Sequence, residues 1–328
     1  MRRSRFRLLA APALALVLVA AACGDDDDTS TTDTTAATDA GTTDTTGGGE
    51  QATFEFVPLD VGGPLTKAAL ENGDIDIALL FSSDGAIAKN SWVALEDDKD
   101  LQPVDNFIPA VRADAVTPEV TEVLNAVSAA LTVEDMQQLV AAVSIDGENP
   151  ADVAGEFLAG VPLPEAAVDG SFVVGSANFA ESEITAELYA QALESAGATV
   201  EKKLQFGARD AYIPALLSGE LDIVPEFVGT LAYFLDADAV VTSDLDASLE
   251  VARGLAAAQG ITLLEPAPAD SVNTFVVTQD TADEYGLATV SDLQGVTETL
   301  TLGGPPECPE RPLCLQGLID TYGLKFDV

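Results

Sequence analysis

The chain has 328 residues, 47% of them hydrophobic, and a formal charge of −41 set by 55 acidic and 14 basic side chains, with no histidine. That size allows one large two-lobed domain or two ordinary ones, and the charge rules against binding nucleic acid or an anionic membrane through a basic face. Without histidine there is no Ser-His-Asp or Cys-His nucleophile.

Residues 1–22 join four arginines to an apolar run from Leu8 to Ala22. The run is short for a membrane span and reads as an export signal. Val19-Ala20-Ala21-Ala22-Cys23-Gly24 resembles a bacterial lipobox, with alanine at position 20 where leucine is usual. Cys23 is thus the expected lipidation site, a plain secretory signal being the alternative. Residues 23–50 are rich in Asp, Thr and Gly and lack apolar periodicity, so they read as a disordered tether spanning on the order of 30 Å.

Residues 51–163 mix both element types. Strands are predicted over 53–59, 74–81, 92–95 and 107–112, with short helices over 64–71 and after the turn Ser82-Ser83-Asp84-Gly85. Beyond Pro118 the pattern is helical, with Thr132 as a cap. VPLPEAAVDG, ending at Gly170, is a connector, its core being residues 164–170. From Ser171 to Thr230 the chain reads strand, loop, helix, twice over. The loops Gly175–Phe179 and Pro225–Thr230 each leave a strand's carboxyl end and enter a helix, where open α/β sheets hold ligands. A binding protein built around these two loops is the expected reading.

Cys308 and Cys314 are the remaining cysteines. In an exported chain they are expected to pair as a disulfide; a metal site is the competing reading, though two thiolates alone ligate zinc poorly. The stretches from Ala69 to Ala78 and from Ala215 to Val224 share one layout of helix end, glycine stop, acidic residue and buried strand. Two lobes built on the same unit would produce that echo.

Four segments, GSANFAESEITAELYAQALESAG, FGARDAYIPALLSGELDIVPEFVGT, VNTFVVTQDTADEYGL and LEDDKDLQPVDNFIPAVR, resemble parts of the substrate-binding proteins of ABC importers for osmoprotectants such as glycine betaine, choline and carnitine. The resemblance spans about 53–328. It implies an α/β fold, a type II periplasmic-binding-protein clamshell, but in circularly permuted order, since the family's opening unit lies at Ser171 and its helical tail ends near Leu163. The family's C-terminal half would be 51–163 and its N-terminal half 171–328. One lobe would combine about 171–273 with 108–163, the other about 274–328 with 53–107. Hinges would lie near 106–108 and 273–275. A domain-swapped dimer is the alternative geometry.

The resemblance also implies a ligand and a site. A quaternary ammonium has no N–H to donate, so aromatic faces hold it. Phe227 and Phe275 match family tyrosines, and another family tyrosine is replaced by Val104 or Asp105. Thr230 and Arg311 match residues suited to a ligand carboxylate, while Ala177 stands where the family has lysine. Ser176, Asn178, Phe179 and Asp84 complete the expected ligand-binding set. Core packing for the two phenylalanines, helix capping for Ser176 and Asn178, a turn for Asp84, and an ion pair with Glu307 or Glu310 for Arg311 are the competing roles. The implied protein captures solute without chemistry or cofactor and hands it to a membrane permease from a lipid anchor on the extracytoplasmic face. Other readings are a receptor for another solute, a surface lipoprotein without ligand, and a two-carboxylate hydrolase.

Overall fold

The computed structural model describes residues 51–327. The export signal, Cys23 and the tether lie outside the described residues. In chain order the elements of the first part are β1 (Thr53–Pro58), α1 (Pro64–Asn72), β2 (Ile77–Phe81), α2 (Gly85–Asn90), β3 (Val93–Ala94), β4 (Phe107–Arg112), α3 (Pro118–Ala130), α4 (Val133–Ser144) and α5 (Pro150–Leu158). After the connector come β5 (Ser171–Ala177), α6 (Ala180–Ser195), β6 (Thr199–Gly207), α7 (Arg209–Ser218), β7 (Ile223–Phe227), α8 (Val228–Leu235), α9 (Leu245–Gln259) and β8 (Ile261–Leu263). The last stretch holds β9 (Asn273–Val277), α10 (Gln279–Tyr285), β10 (Thr301–Gly304), α11 (Leu315–Tyr322) and β11 (Lys325–Asp327).

Local chemistry sets most of these boundaries. Thr117 caps α3 by accepting from the Val120 N–H, with Pro118 at the first helical position, where its missing N–H costs nothing. Thr132 and Asp135 form a reciprocal capping box on α4. Strands β2 and β7, reading IALLF and IVPEF, are apolar nearly throughout, as strands covered on both faces must be.

The strands form two sheets, one in the order β11-β1-β10-β2-β9-β3 and the other β6-β5-β7-β4-β8. The second is covered by α3, α4, α5 and α6 on one face and by α7, α8 and α9 on the other, giving two separate cores. In the first, α10, α11 and the Cys308–Cys314 disulfide, with a Cα separation of 5.3 Å, back one face, while α1 and α2 cover the other.

Both sheets have the same topology. In the five-stranded sheet β5 is flanked by β6 and β7, then comes the antiparallel β4, then β8. In the six-stranded sheet β10 is flanked by β1 and β2, then comes the antiparallel β9, then β3, with β11 added at the edge beside β1. That order, two-one-three, return strand, four, is the type II periplasmic-binding-protein arrangement. The echo in the sequence is therefore structural. Gly73 and Gly219 end α1 and α7 in the left-handed region, at φ 73° and 78°, where glycine avoids the Cβ penalty. Three residues on, Asp76 and Asp222 each accept from a strand N–H, of Thr301 and Val173 respectively, both at 2.8 Å.

The two lobes are joined by strand crossings that touch through an Asn106–Asp270 bridge. They also meet where α2 packs on α4: Gln137 Nε2 donates to the Ser82 carbonyl at 2.7 Å, and Lys89 pairs with Asp146. The approach is so close that a Cβ on Gly85 would stand 2.7 Å from Ala141 Cα. Gly85→Ala is accordingly expected to force α2 off α4 and lower stability by about 1–3 kcal/mol, measured by chemical denaturation; an unchanged midpoint would contradict this packing.

Candidate functional site

Between the lobes lies a cavity of about 610 Å³, within the range of small-molecule sites. Its floor is the pair of strand-to-helix junctions singled out from sequence. Phe179 precedes α6, and Phe227 both ends β7 and caps α8. Their rings lie 6.1 Å apart, and Phe227 in turn packs on Phe107 at 4.6 Å. Phe179 is 43% exposed and Phe227 only 8%, so one ring is presented to the cavity and the other is half wall, half core. Phe81, at the end of β2, contributes a third ring from the opposite lobe.

A bulge aims the first junction. The pairing of β5 with β6 shifts register between Gly175 and Ala177, and Gln205 on β6 takes a left-handed φ of 52°. Bulges of this kind increase local twist and redirect the residues beside them. The Gln205 N–H is satisfied by Ser176 Oγ at 2.8 Å, and Ser182 Oγ accepts from the Ala177 N–H at 2.9 Å.

Beneath the second junction is a charged cluster. Glu226 is fully buried and accepts from Arg209 Nε at 2.9 and 3.1 Å, from Arg209 Nη2 at 2.8 Å, from Tyr212 Oη at 2.8 Å and from the Phe227 N–H at 3.0 Å. Arg209 Nη2 also donates to Thr230 Oγ1 at 2.8 Å. Burial opposes the guanidinium charge, but the Glu226 carboxylate outweighs it and holds Arg209 above its ordinary pKa. Burial and the same carboxylate push Tyr212 up, so it stays a neutral donor.

Two more carboxylates line the cavity. Asp105, on the crossing into β4, accepts at Oδ1 from the Gly229 and Thr230 N–H groups at 2.8 and 2.9 Å. Burial nevertheless raises its pKa to about 6, against the lowering effect of those donors. Glu181 on α6 is raised as well, chiefly by burial, while accepting across the lobes from Ser83 Oγ at 3.2 Å.

The raised pKa of Asp105 makes the stability of the protein depend on pH. A carboxyl that binds its proton more tightly folded than unfolded adds stability below its unfolded pKa, and that stability is lost as pH rises through about 6. The ligand-free protein is thus expected to lose about 2–3 kcal/mol from this group between pH 4 and 7. The difference between wild type and Asp105→Asn across that window, followed by denaturation, isolates the contribution; a pH-independent difference would contradict it.

Of the residues expected from sequence, Asn178, Phe179, Phe227 and Thr230 come together on the cavity wall. Four others do not. Ser176 is fully buried, its hydroxyl spent on Gln205 and on the Ala177 carbonyl. Phe275 points into the core behind the six-stranded sheet, among Leu79, Val277 and Leu302. Arg311 pairs with Glu307 at 2.6 Å on an exposed loop, one of the two competing partners. Asp84 caps α2 through the Ala86 N–H and pairs with Lys67 at 2.6 Å, beside a separate cavity of about 230 Å³. Sequence reasoning missed Phe81, Glu181, Arg209 and Glu226. A signal for Phe81 existed: the offset that aligns Ala69 with Ala215 also aligns Phe81 with Phe227.

Comparison with known proteins agrees with this geometry. A family model described as the substrate-binding domain of the ABC-type glycine betaine transport system matches residues 49–160 and 170–328. The chain is 32% identical over 175 residues to the glycine betaine-binding protein YehZ of Escherichia coli, covering 52% of this chain and 57% of that protein. It is 28% identical over 188 residues to a glycine-betaine-binding protein of Pseudomonas aeruginosa, covering 53% and 56%. A shorter match, 31% over 109 residues, is to the carnitine transport binding protein OpuCC of Listeria monocytogenes, covering 31% of this chain and 33% of that one. The chain spans little more than half the length of the first two relatives. With two lobes of type II topology around one aromatic-floored cleft, and with the family model matched over most of its length, the chain belongs to the family of substrate-binding domains of ABC-type glycine betaine transport systems.

Proposed function

We propose that the chain is the extracytoplasmic binding component of an ABC importer, capturing a quaternary amine of the choline or glycine betaine type and delivering it to a membrane permease. The observation that carries this reading is the convergence of Phe179, Phe227 and Phe81 on one cavity. A methylated ammonium offers no donor and is held by π faces and fit; three rings from two lobes supply both. Phe81 comes from the lobe opposite Phe179, so closure about the Asn106 and Asp270 crossings would complete the cage. Ligand drives closure only through its higher affinity for the closed form. Asn178 and Thr230 stand at the rim as polar contacts.

A lipid anchor at Cys23 would hold this domain on the outer face of the cell membrane, and among the described residues no helix is long and apolar enough to cross one. A circularly permuted chain order is supported by the two separate family matches, which leave the connector between them unmatched, and by the shared sheet topology when strands are counted from Ser171. Light scattering giving twice the monomer mass would favour a swapped dimer over a permuted monomer.

The reading is tested by thermal unfolding against choline, glycine betaine, carnitine, ectoine, proline and neutral sugars. A ligand at a hundred times its dissociation constant adds about 2.7 kcal/mol of stability. A midpoint shift confined to quaternary amines is expected. A shift with sugars or proline alone would replace the ligand class, and no shift at all would remove the receptor role.

A further inference from the structure

The first turn of α8 is where backbone donors gather beside the cleft, and the protein has already filled it. The Gly229 and Thr230 N–H groups donate to Asp105 Oδ1 at 2.8 and 2.9 Å, with Thr230 Oγ1 at 3.4 Å. The Phe227 N–H is taken by Glu226, and the Val228 N–H by the Asn106 carbonyl at 3.1 Å. Helix amino ends attract anions because their N–H groups lack partners and the dipole is positive there. Here both attractions are spent on a side chain of the same chain. The seat is also sterically fixed, since a Cβ on Gly229 would strike the Val104 carbonyl and stand 3.3 Å from Asp105 Oδ1.

The nearby positive charge is spent as well. Arg209 is held by both oxygens of the fully buried Glu226, which leaves a neutral pair. Asp105 and Glu181 then give the cavity a net negative wall. Asp105 Oδ2 accepts no hydrogen bond among the described residues, so it is available to a cation. An incoming carboxylate would meet two carboxylates and an occupied helix end; an incoming ammonium meets three rings and a fixed counter-charge.

We infer that Asp105 is a specificity-determining residue, making the cleft select organic cations that carry no carboxylate, such as choline, over zwitterions such as glycine betaine. The inference rests on the quaternary-amine reading above and narrows it. It also carries a pH signature. Protonation below about pH 6 would remove the counter-charge, so choline affinity should fall about tenfold from pH 7 to pH 5.

The test is calorimetric titration of the full chain with choline and with glycine betaine, in wild type, Asp105→Asn and Asp105→Ala, with the unliganded melting of each variant recorded. Wild type is expected to bind choline at least tenfold more tightly. Asparagine keeps an acceptor for Gly229 and Thr230 but removes the charge, so choline should weaken at least tenfold without a gain for betaine. Alanine empties the helix end, so choline should weaken while betaine tightens, reversing the order. Should the alanine variant fail to fold, the asparagine variant decides: unchanged choline affinity there overturns the inference. Betaine bound as tightly as choline by wild type would overturn it while leaving the quaternary-amine reading intact. Binding of neither would overturn both.

Discussion

Replacing Arg209 with methionine is expected to lower stability by about 3–5 kcal/mol at neutral pH. The guanidinium supplies three contacts to Glu226, whose side chain has no exposed surface. Methionine keeps much of the apolar stem but leaves the carboxylate with only Tyr212 and the Phe227 N–H as donors. A buried charge deprived of its partner must stay ionised at a desolvation penalty or take up a proton. Either cost falls on the folded state alone. Adding Glu226→Gln to the methionine variant should therefore recover part of the loss, a non-additivity expected of groups in direct contact. Urea denaturation of the single and double variants checks both statements. A loss below about 1 kcal/mol in the single variant would mean that the pair is hydrated or rearranged in solution.

Phe227→Ala is expected to remove about 3–5 kcal/mol of stability and to abolish quaternary-amine binding together. The ring is part of the five-stranded lobe's core, packed on Phe107, while its other side forms the cavity floor. Phe179→Ala separates the two roles. That ring is 43% exposed, so its removal should change stability by about 0.5–1 kcal/mol while weakening binding ten- to thirtyfold, the size of a desolvated cation–π contact of about 2 kcal/mol. Binding retained in the Phe179 variant, with stability lost, would assign both rings to the core.

How much of this was legible in the sequence depended on whether the signal was local. Strands and helices were readable because apolar periodicity, caps such as Thr132 and stops such as Gly73 act within a few residues. Asn178, Phe179, Phe227 and Thr230 were readable because strand-to-helix junctions in parallel sheets open onto one crevice. Phe275 and Phe81 show the limit. Positions two apart on a strand share a face, so how far along the strand a residue sits also decides core or cleft. Phe275 pairs across from Leu79 and faces the core, whereas Phe81, two residues beyond Leu79 at the strand's end, reaches the cavity. Arg209 and Glu226 escaped because they lie on successive elements, α7 and β7, that no spacing rule links, and Asp105, noted only as standing where the family has tyrosine, meets Thr230 from a distant part of the chain. Ser176, expected in the ligand set with helix capping as its competing role, is buried with its hydroxyl bonded to the Gln205 N–H and the Ala177 carbonyl, beside a register shift that no local sequence signal announces.

We propose that a bound quaternary ammonium sits among Phe81, Phe179 and Phe227. The most direct measurement is a crystal structure of the protein grown with choline. The prediction is density for the trimethylammonium group within about 6 Å of the Phe179 and Phe227 ring centroids, with the Phe81 lobe closed over it and Asp105 Oδ2 as the nearest anionic atom. An empty aromatic cleft at saturating choline, or choline bound elsewhere, would rule out this site.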